Sequence, residues 1–441
     1  MIVKLSDSIV SPLGNGTEAN YLAVKEGRSG LRRYTSDMRH YAGNPVYCSN
    51  GSEHAADALE NGTGNSLHYA KPWHSLEPFV ASLFDSETLA EEMRALQLEA
   101  YTPFEQLLIA SIRGALEKLC HNAAHDGAAR RDAVRNETRT TEDVPFDASS
   151  PKVVFVFSTT KGNVYLLDEN VSGFSKERVL LGVAARKVCD YFGNPNPPVV
   201  VSNACISGLC AQIEAMRLLE GGYYDYAVVA GADMQSPFIV SGFQSFKALS
   251  DEPCRPFDAE RKGLNLGEAA ACIIYARRDK AQPEEWVACR GAIRNDANHI
   301  SGPSREGEGS YRALKAVLAG FDTGRLAFVN AHGTATAYND EMESIAVTRA
   351  GLAEVPVNGL KGHFGHTMGA AGVLESILSM RALDDHCILG TKGFAHCGVS
   401  RPLRLDAQHQ PTEKRAFVKL LSGFGGCNAA LLFAKGGESC C

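Results

Sequence analysis

Apolar runs of strand length alternate with helical patterns from residue 151 onward. "KVVFVFS" is followed by a helical pattern over 176–191, "PVVVSN" by one over 205–220, and "YAVVAGAD" ends the series. Strands without polar alternation are buried on both faces, so this order predicts parallel strands covered by helices. The second half repeats the pattern: "RLAFVNAH", a helix over 338–350, "VPVNGL", and a helix over 368–383. It closes on "RAFVKLLSGFGGCNAALLFAK", two strands joined by a Gly-rich turn. Strand–turn–helix units at "VVVSNACISGLCAQIEAMRLL" and "VPVNGLKGHFGHTMGAAGVLESIL" echo each other, a weak mark of duplication because any α/β chain repeats its unit. Near the N-terminus a strand and a helix are expected. Residues 101–120 have helical periodicity, with Phe104, Leu107, Leu108, Ile112 and Leu116 on one face. Residues 121–150 are charged and poor in apolar side chains, and read as an exposed loop or insertion.

Composition narrows this picture. A chain of 441 residues, 44% hydrophobic and 22% charged, is a large globular domain or two fused halves. The net charge of −7 argues against nucleic acid as the main partner, although a local basic patch for an acidic partner is compatible with it. No apolar stretch approaches bilayer length, and "MIVKLSDSIVSPLGNG" lacks the features of a signal peptide, so the expected location is cytoplasmic, away from membrane. The 13 cysteines show no C-x-x-C and no Cys/His metal spacing. A disulfide framework or zinc site is not expected, and most of these thiols should be buried, reduced and inert.

Four stretches carry candidate chemistry. In "SNACISGLC", Cys205 stands where a strand gives way to a helix, and Ser207 and Gly208 permit a tight corner. A helix N-terminus offers partial positive charge and free N–H groups, which could lower a thiol pKa and supply half of an oxyanion hole. On this stretch alone, an inert buried cysteine is the commoner case. In "VNAHGTATAYNDEMES", His332 ends a parallel strand, where ligand sites tend to form, and Asp340 and Glu343 follow on a helix. In "LKGHFGHTMGAAGVLE", Lys361, His363 and His366 crowd a Gly-rich corner, and only one of the histidines need act. In "SGFGGCN", glycines surround Phe424 and allow positive φ and close backbone approach. The chain has no dinucleotide fingerprint, phosphate loop or G-x-S-x-G elbow.

Taken jointly and in this order, these stretches resemble the β-ketoacyl-acyl carrier protein synthases of the condensing-enzyme, thiolase-like superfamily. "SPLGNGTEANYLAVKEGRSGL" and "GFQSFKALSDEPCRPFDAERKGLNLGEAAACIIYA" resemble further segments of that family, whereas 38–85 and 121–150 match least well. The resemblance implies an α/β, five-layered αβαβα fold of two similar halves, here 1–250 with the nucleophile and 251–441 with the histidines. It implies that Cys205 accepts the acyl group and that His332 and His366 donate hydrogen bonds through Nε2, a Cys-His-His set of the elongating type. Lys361 would hold His366 and tune the local field, and Asp340, Glu343 and Glu375 would organise the site. Phe424 would gate it and share the oxyanion hole with Cys205. The implied reaction is decarboxylating condensation of an acyl group with malonyl-acyl carrier protein, giving a 3-oxoacyl product without metal or organic cofactor. The implied partners are acyl carrier protein and a second subunit, either a homodimer built partly through "YAVVAGADMQ" as an edge strand or a heterodimer with a homologue.

Three departures from the family pattern stand out: Ile206 beside the nucleophile, where its bulk could reshape the pocket, Ala335 in "GTAT", and "GEAAA". They suggest a divergent branch serving a polyene or polyketide pathway. Two other readings compete with an active ketosynthase. One is a non-catalytic partner subunit of the chain-length-factor kind, which would lack the nucleophile. The other is a thiolase, which would use a second cysteine such as Cys427 as base.

Overall fold

The computed structural model describes residues 1–35, 76–133, 146–168, 171 and 173–436. Its main sheet follows ten strands: β1 (Ile2–Ser11), β2 (Val153–Ser158), β3 (Val199–Val201), β4 (Tyr226–Asp233), β5 (Ala269–Arg277), β6 (Trp286–Asn295), β7 (Leu326–Asn330), β8 (Val357–Asn358), β9 (Ala416–Gly423) and β10 (Cys427–Lys435). They fall into two sets of five with the same pairing scheme. In the first, β3, β2 and β4 run parallel, β5 lies antiparallel to β4, and β1 lies antiparallel to β5. In the second, β8, β7 and β9 run parallel, β10 lies antiparallel to β9, and β6 lies antiparallel to β10. The sets meet where Val3 of β1 stands opposite Val287 of β6. The echo between the two sequence halves is therefore a repeat of topology.

Helices complete five layers. Here α1 (Pro103–Ala133) and α2 (Leu181–Tyr191) cover the outer face of the first set through Phe104, Leu107, Ile112, Ala184 and Val188. Two helices fill the middle, α3 (Ser207–Glu220) and a C-terminal partner described below. The helices α4 (Glu308–Val317) and α5 (Ala337–Arg349) lie beyond the second set, where Ala313, Leu314 and Val347 join its outer core. The short α6 (Lys361–Phe364) precedes α7 (Ala371–Asp384), the second middle helix. Both middle helices are buried nearly all round because each faces a sheet on two sides, and Ile213, Leu219, Ile377 and Leu378 share one core with Ile273 and Phe417. This is the αβαβα order the motifs imply.

The middle helices touch through their glycines. A Cβ added at Gly208 would lie 2.9 Å from the Gly372 nitrogen and 2.9 Å from the Gly369 oxygen, and Gln212 Nε2 donates to Gly372 O at 3.0 Å. Gly208→Ala should force this packed contact apart and lower stability by roughly 1–3 kcal/mol. Urea denaturation would show it as a lower midpoint with an unchanged slope.

Two expectations are corrected here. Residues 121–133 continue α1 as helix instead of forming a loop, and 134–145 lie outside the described residues. The apolar face of Leu107–Ile112 anchors the helix, so its polar end continues on propensity without needing a core of its own. "YAVVAGAD" is not an edge strand, because β4 pairs on both sides, with β2 and with β5. Its side chains are apolar on both faces, as a central strand requires. Nine described cysteines are free, seven of them buried, but Cys289 is disulfide-bonded, and Cys120 and Cys397 are exposed. Among the described residues no helix is long and apolar enough to cross a membrane.

Candidate active site

Residues 202–206 form the corner between β3 and α3. Ala204 adopts φ +45°, a left-handed conformation that costs any residue with a Cβ. Two bonds hold the corner: Asn203 N–H donates to Ser207 Oγ at 2.8 Å, and Ser207 Oγ donates to Ala204 O at 2.6 Å. The turn delivers Cys205 to the mouth of α3, whose first N–H groups are partly taken by the turn itself, Ser207 N–H donating to Ala204 O at 3.2 Å and Leu209 N–H to Ile206 O at 3.0 Å. The thiol is buried, and burial pushes its pKa up to about 12 against the lowering effects of Lys361 and the Phe424 N–H. Desolvation thus runs against the depression expected from the helix start. The buried group is therefore a thiol at neutral pH, and a base would have to take its proton before it could act as a nucleophile.

His332 lies two residues beyond β7, and both sides of its backbone are gripped. The N–H groups of His332 and Gly333 donate to Glu343 Oε1 (2.6 Å) and Oε2 (2.7 Å). Lys361 Nζ donates to His332 O (2.6 Å) and to Glu375 Oε1 (2.8 Å). His366 is pinned by its N–H to Asn265 O at 2.7 Å, and its Nδ1 accepts from Met368 N–H at 3.2 Å. That acceptor role assigns the ring proton to Nε2, which is buried with no partner; on His332 the unpartnered buried ring atom is Nδ1. The two rings meet edge to face, 4.9 Å apart at 81°. Cys205 Sγ and a nitrogen of each ring all lie within 4.8 Å of one another. Burial lowers both histidine pKa values well below 6.5, and the charges of Lys361 and Lys419 push in the same direction. Both imidazoles are therefore neutral at pH 7. Three such donors could grip a soft metal ion, but two buried ammonium groups in the same enclosure oppose a dication.

Lys361 serves the site differently from the expected tether to His366: it bonds the His332 carbonyl and Glu375. Beside it stands a residue not singled out from the sequence, Lys419 of β9. Its Nζ donates to Glu375 Oε2 (2.5 Å) and Ala331 O (2.9 Å), with Asn330 O at 3.3 Å. Burial raises the Glu375 pKa, but the two lysines outweigh it and hold the carboxyl ionised. Glu375→Gln should leave two buried cations without their counter-charge and cost about 3–5 kcal/mol, read as a drop in the urea midpoint. Asp340 stands further back. It accepts from Phe257 N–H at 2.7 Å, and burial raises its pKa to about 6, as it raises that of Glu343 to about 7.

The GFGG turn closes the mouth. Gly423 pairs with Cys427 across the hairpin, and a Cβ at Gly423 would lie 3.2 Å from the Cys205 nitrogen, so the turn approaches Cys205 at backbone distance. The Phe424 ring packs against Phe243 (5.8 Å) and Phe246 (5.6 Å). These rings, with Phe238, Ile239, Met368 and Cys205, line a cavity of about 470 Å³. Ile206 does not line it; the side chain is fully buried in the core between the sheets, so its bulk acts on packing and not on the cavity wall. Cys210 belongs to the same core. His363 turns away, its Nδ1 2.6 Å from Arg28 O. Cys427 does not line the cavity, and its Sγ donates to Phe424 O at 3.2 Å.

Residues 74–281 match the beta-ketoacyl synthase N-terminal domain, and residues 287–395 match the C-terminal domain. The chain is 33% identical over 279 residues to 3-oxoacyl-[acyl-carrier-protein] synthase 2 of Rhizobium meliloti, covering 58% of this chain and 65% of that one. It is 30% identical over 292 residues to the enzyme of the same name from Vibrio cholerae, covering 60% of this chain and 69% of that one. The match thus spans just under two thirds of the Rhizobium protein's length. The ishigamide ketosynthase/chain length factor structure superposes with a TM-score of 0.74 at 21% identity, covering 98% of both chains. The chain belongs to the β-ketoacyl synthase family and has its thiolase-like fold.

Proposed function

We propose that this protein is an elongating ketosynthase that condenses an acyl group on Cys205 with malonyl-acyl carrier protein. The observation that carries this reading is the meeting of one thiol and two neutral imidazoles, within 4.8 Å of one another, at the end of an apolar cavity. In the first step Cys205 Sγ attacks the acyl thioester, and its proton passes through a histidine to the departing carrier thiolate. The backbone N–H groups of Cys205 and Phe424 stabilise the tetrahedral oxyanion; losing one such donor costs about 100- to 1000-fold in rate. In the second step malonyl thioester loses CO2, and His332 and His366 donate to the enolate oxygen. In the third, the enolate carbon attacks the acyl carbonyl, a C–C bond forms, the C–S bond to Cys205 breaks, and the sulfur is reprotonated.

The apolar lining suits a hydrocarbon acyl chain of fatty-acid or polyketide type. Cys427 stands near Cys205, but its Sγ donates to Phe424 O and it does not line the cavity, which supports the condensing reading over a thiolase. A thiol nucleophile suits a reducing compartment such as the cytoplasm. The subunit partner is a second copy or a homologous chain, and the half-buried outer strand β3 offers a sheet edge for it. Incubation with acyl-carrier protein should add the acyl mass to the peptide carrying Cys205. Labelling of any other peptide, or none, would overturn the assignment.

A further inference from the structure

Lys419 is a charged residue in the middle of an apolar strand, flanked by Val418 and Leu420. It is fully buried, and such a side chain persists only where its charge and donors are satisfied. Here they are satisfied by the site. Glu375 presents one oxygen to each of two lysines, Oε1 to Lys361 and Oε2 to Lys419. The same two lysines take successive carbonyls of the segment leading out of β7: Asn330 and Ala331 from Lys419, His332 from Lys361. Glu343 takes the N–H groups of His332 and Gly333 from the other side.

We propose that Lys419 is a second positioning lysine of the condensing site: it fixes the backbone that presents His332 and makes Glu375 the bridge of a two-cation unit behind both imidazoles. This rests on the histidine roles assigned above. The charged groups facing the unit are Glu375 from α7, Lys361 from α6 and Glu343 from α5. With both lysines protonated, the Lys–Glu–Lys unit carries one net positive charge, which Glu343, its pKa raised by burial to about 7, offsets in part at neutral pH. That charge opposes protonation of His332 and His366 and favours an enolate anion formed between them. Lys361 with Glu375 alone would supply no such excess. Burial and the neighbouring Lys361 lower the Lys419 pKa in turn, so the excess is released as the solution becomes alkaline.

The experiment compares Lys419→Met, which retains length and removes charge, with the unsubstituted protein in two readouts. Histidine-selective ¹³C NMR, without substrate, follows protonation of His332 and His366. The expected result is titration of both rings at higher pH in the variant, because an opposing positive charge has gone. Malonyl-carrier decarboxylation should fall roughly 10- to 100-fold in kcat, the scale of a misplaced reacting group. Its acid limb should move to higher pH, and acyl loading of Cys205, which draws on a histidine for proton transfer only, should fall less than decarboxylation. Unchanged histidine titration in a folded variant overturns the proposal, as does an equal fall in loading and decarboxylation with the acid limb in place. If the unsubstituted protein does not decarboxylate malonyl thioester, the condensing reading fails, while the NMR titration still decides the role of Lys419. Should Lys419→Met not fold, Lys419→Gln carries the same comparison. Should neither fold, the alkaline titration of the unsubstituted protein decides: His332 and His366 resonances should shift together as Lys419 loses its proton, and flat resonances overturn the proposal.

Discussion

Cys205→Ala is expected to abolish acyl loading while leaving malonyl decarboxylation measurable. On the proposed reading the thiol forms the acyl intermediate, so its removal should end condensation; loss of a catalytic nucleophile costs on the order of 10⁶ in turnover. Decarboxylation asks for something else, donors to an enolate oxygen, and these are held independently of Cys205. His332 is gripped by Glu343 and Lys361, and His366 by Asn265 and Met368. Mass spectrometry of the Cys205 peptide and CO2 release from malonyl-carrier protein measure the two activities in one preparation. Loss of both in a folded variant would show that the thiol is needed for malonyl chemistry, against the separation of roles drawn here.

His366→Ala is expected to invert that pattern. It removes Nε2, a donor fixed in tautomer by the Met368 N–H and left without any other partner. The cost should be about 100- to 1000-fold in decarboxylation. His363→Ala should stay near the unsubstituted rate, because His363 faces Arg28. The opposite outcome would reassign the histidine. The pH profile supplies a second check. Both active-site histidines are neutral with pKa values depressed below 6.5. Folding therefore gains from them in full above about pH 6.5 and loses that gain as pH falls through their native values. Activity should follow, with an acid limb below the ordinary histidine range.

The motifs exposed much of this site because its candidate groups sit at element ends, where sequence is punctuated. Cys205 stands at a strand–helix corner, His332 just past a strand and Phe424 in a Gly-rich turn, and the structure brings these positions together. Strands lacking polar alternation made parallel strands covered by helices legible, whereas the five-layer order came from the family resemblance alone. What stayed hidden depends on partners distant in sequence. Lys419 lies 44 residues from Glu375 and 88 from Ala331, so its purpose is invisible in "FVKLL". The usable signal was the charge itself, since a lysine within a strand buried on both faces requires a counter-ion. The tether of Lys361 was missed for the same reason, being a bond to a backbone carbonyl that no side-chain pattern encodes. The thiol pKa was misjudged because helix polarity can be read locally, whereas dehydration depends on everything packed around the sulfur.

Cys205 arrives at the entry to a middle helix belonging to the first set of strands, and the histidines arrive from the second. The distance from sulfur to imidazole is thus a mechanical register between two blocks. Where α3 and α7 cross, the spacer is the bare backbone of Gly208 and Gly372. A substitution there would leave each block's outer core intact and still detune the reaction, as a shim placed in a hinge shifts the far edge of a door.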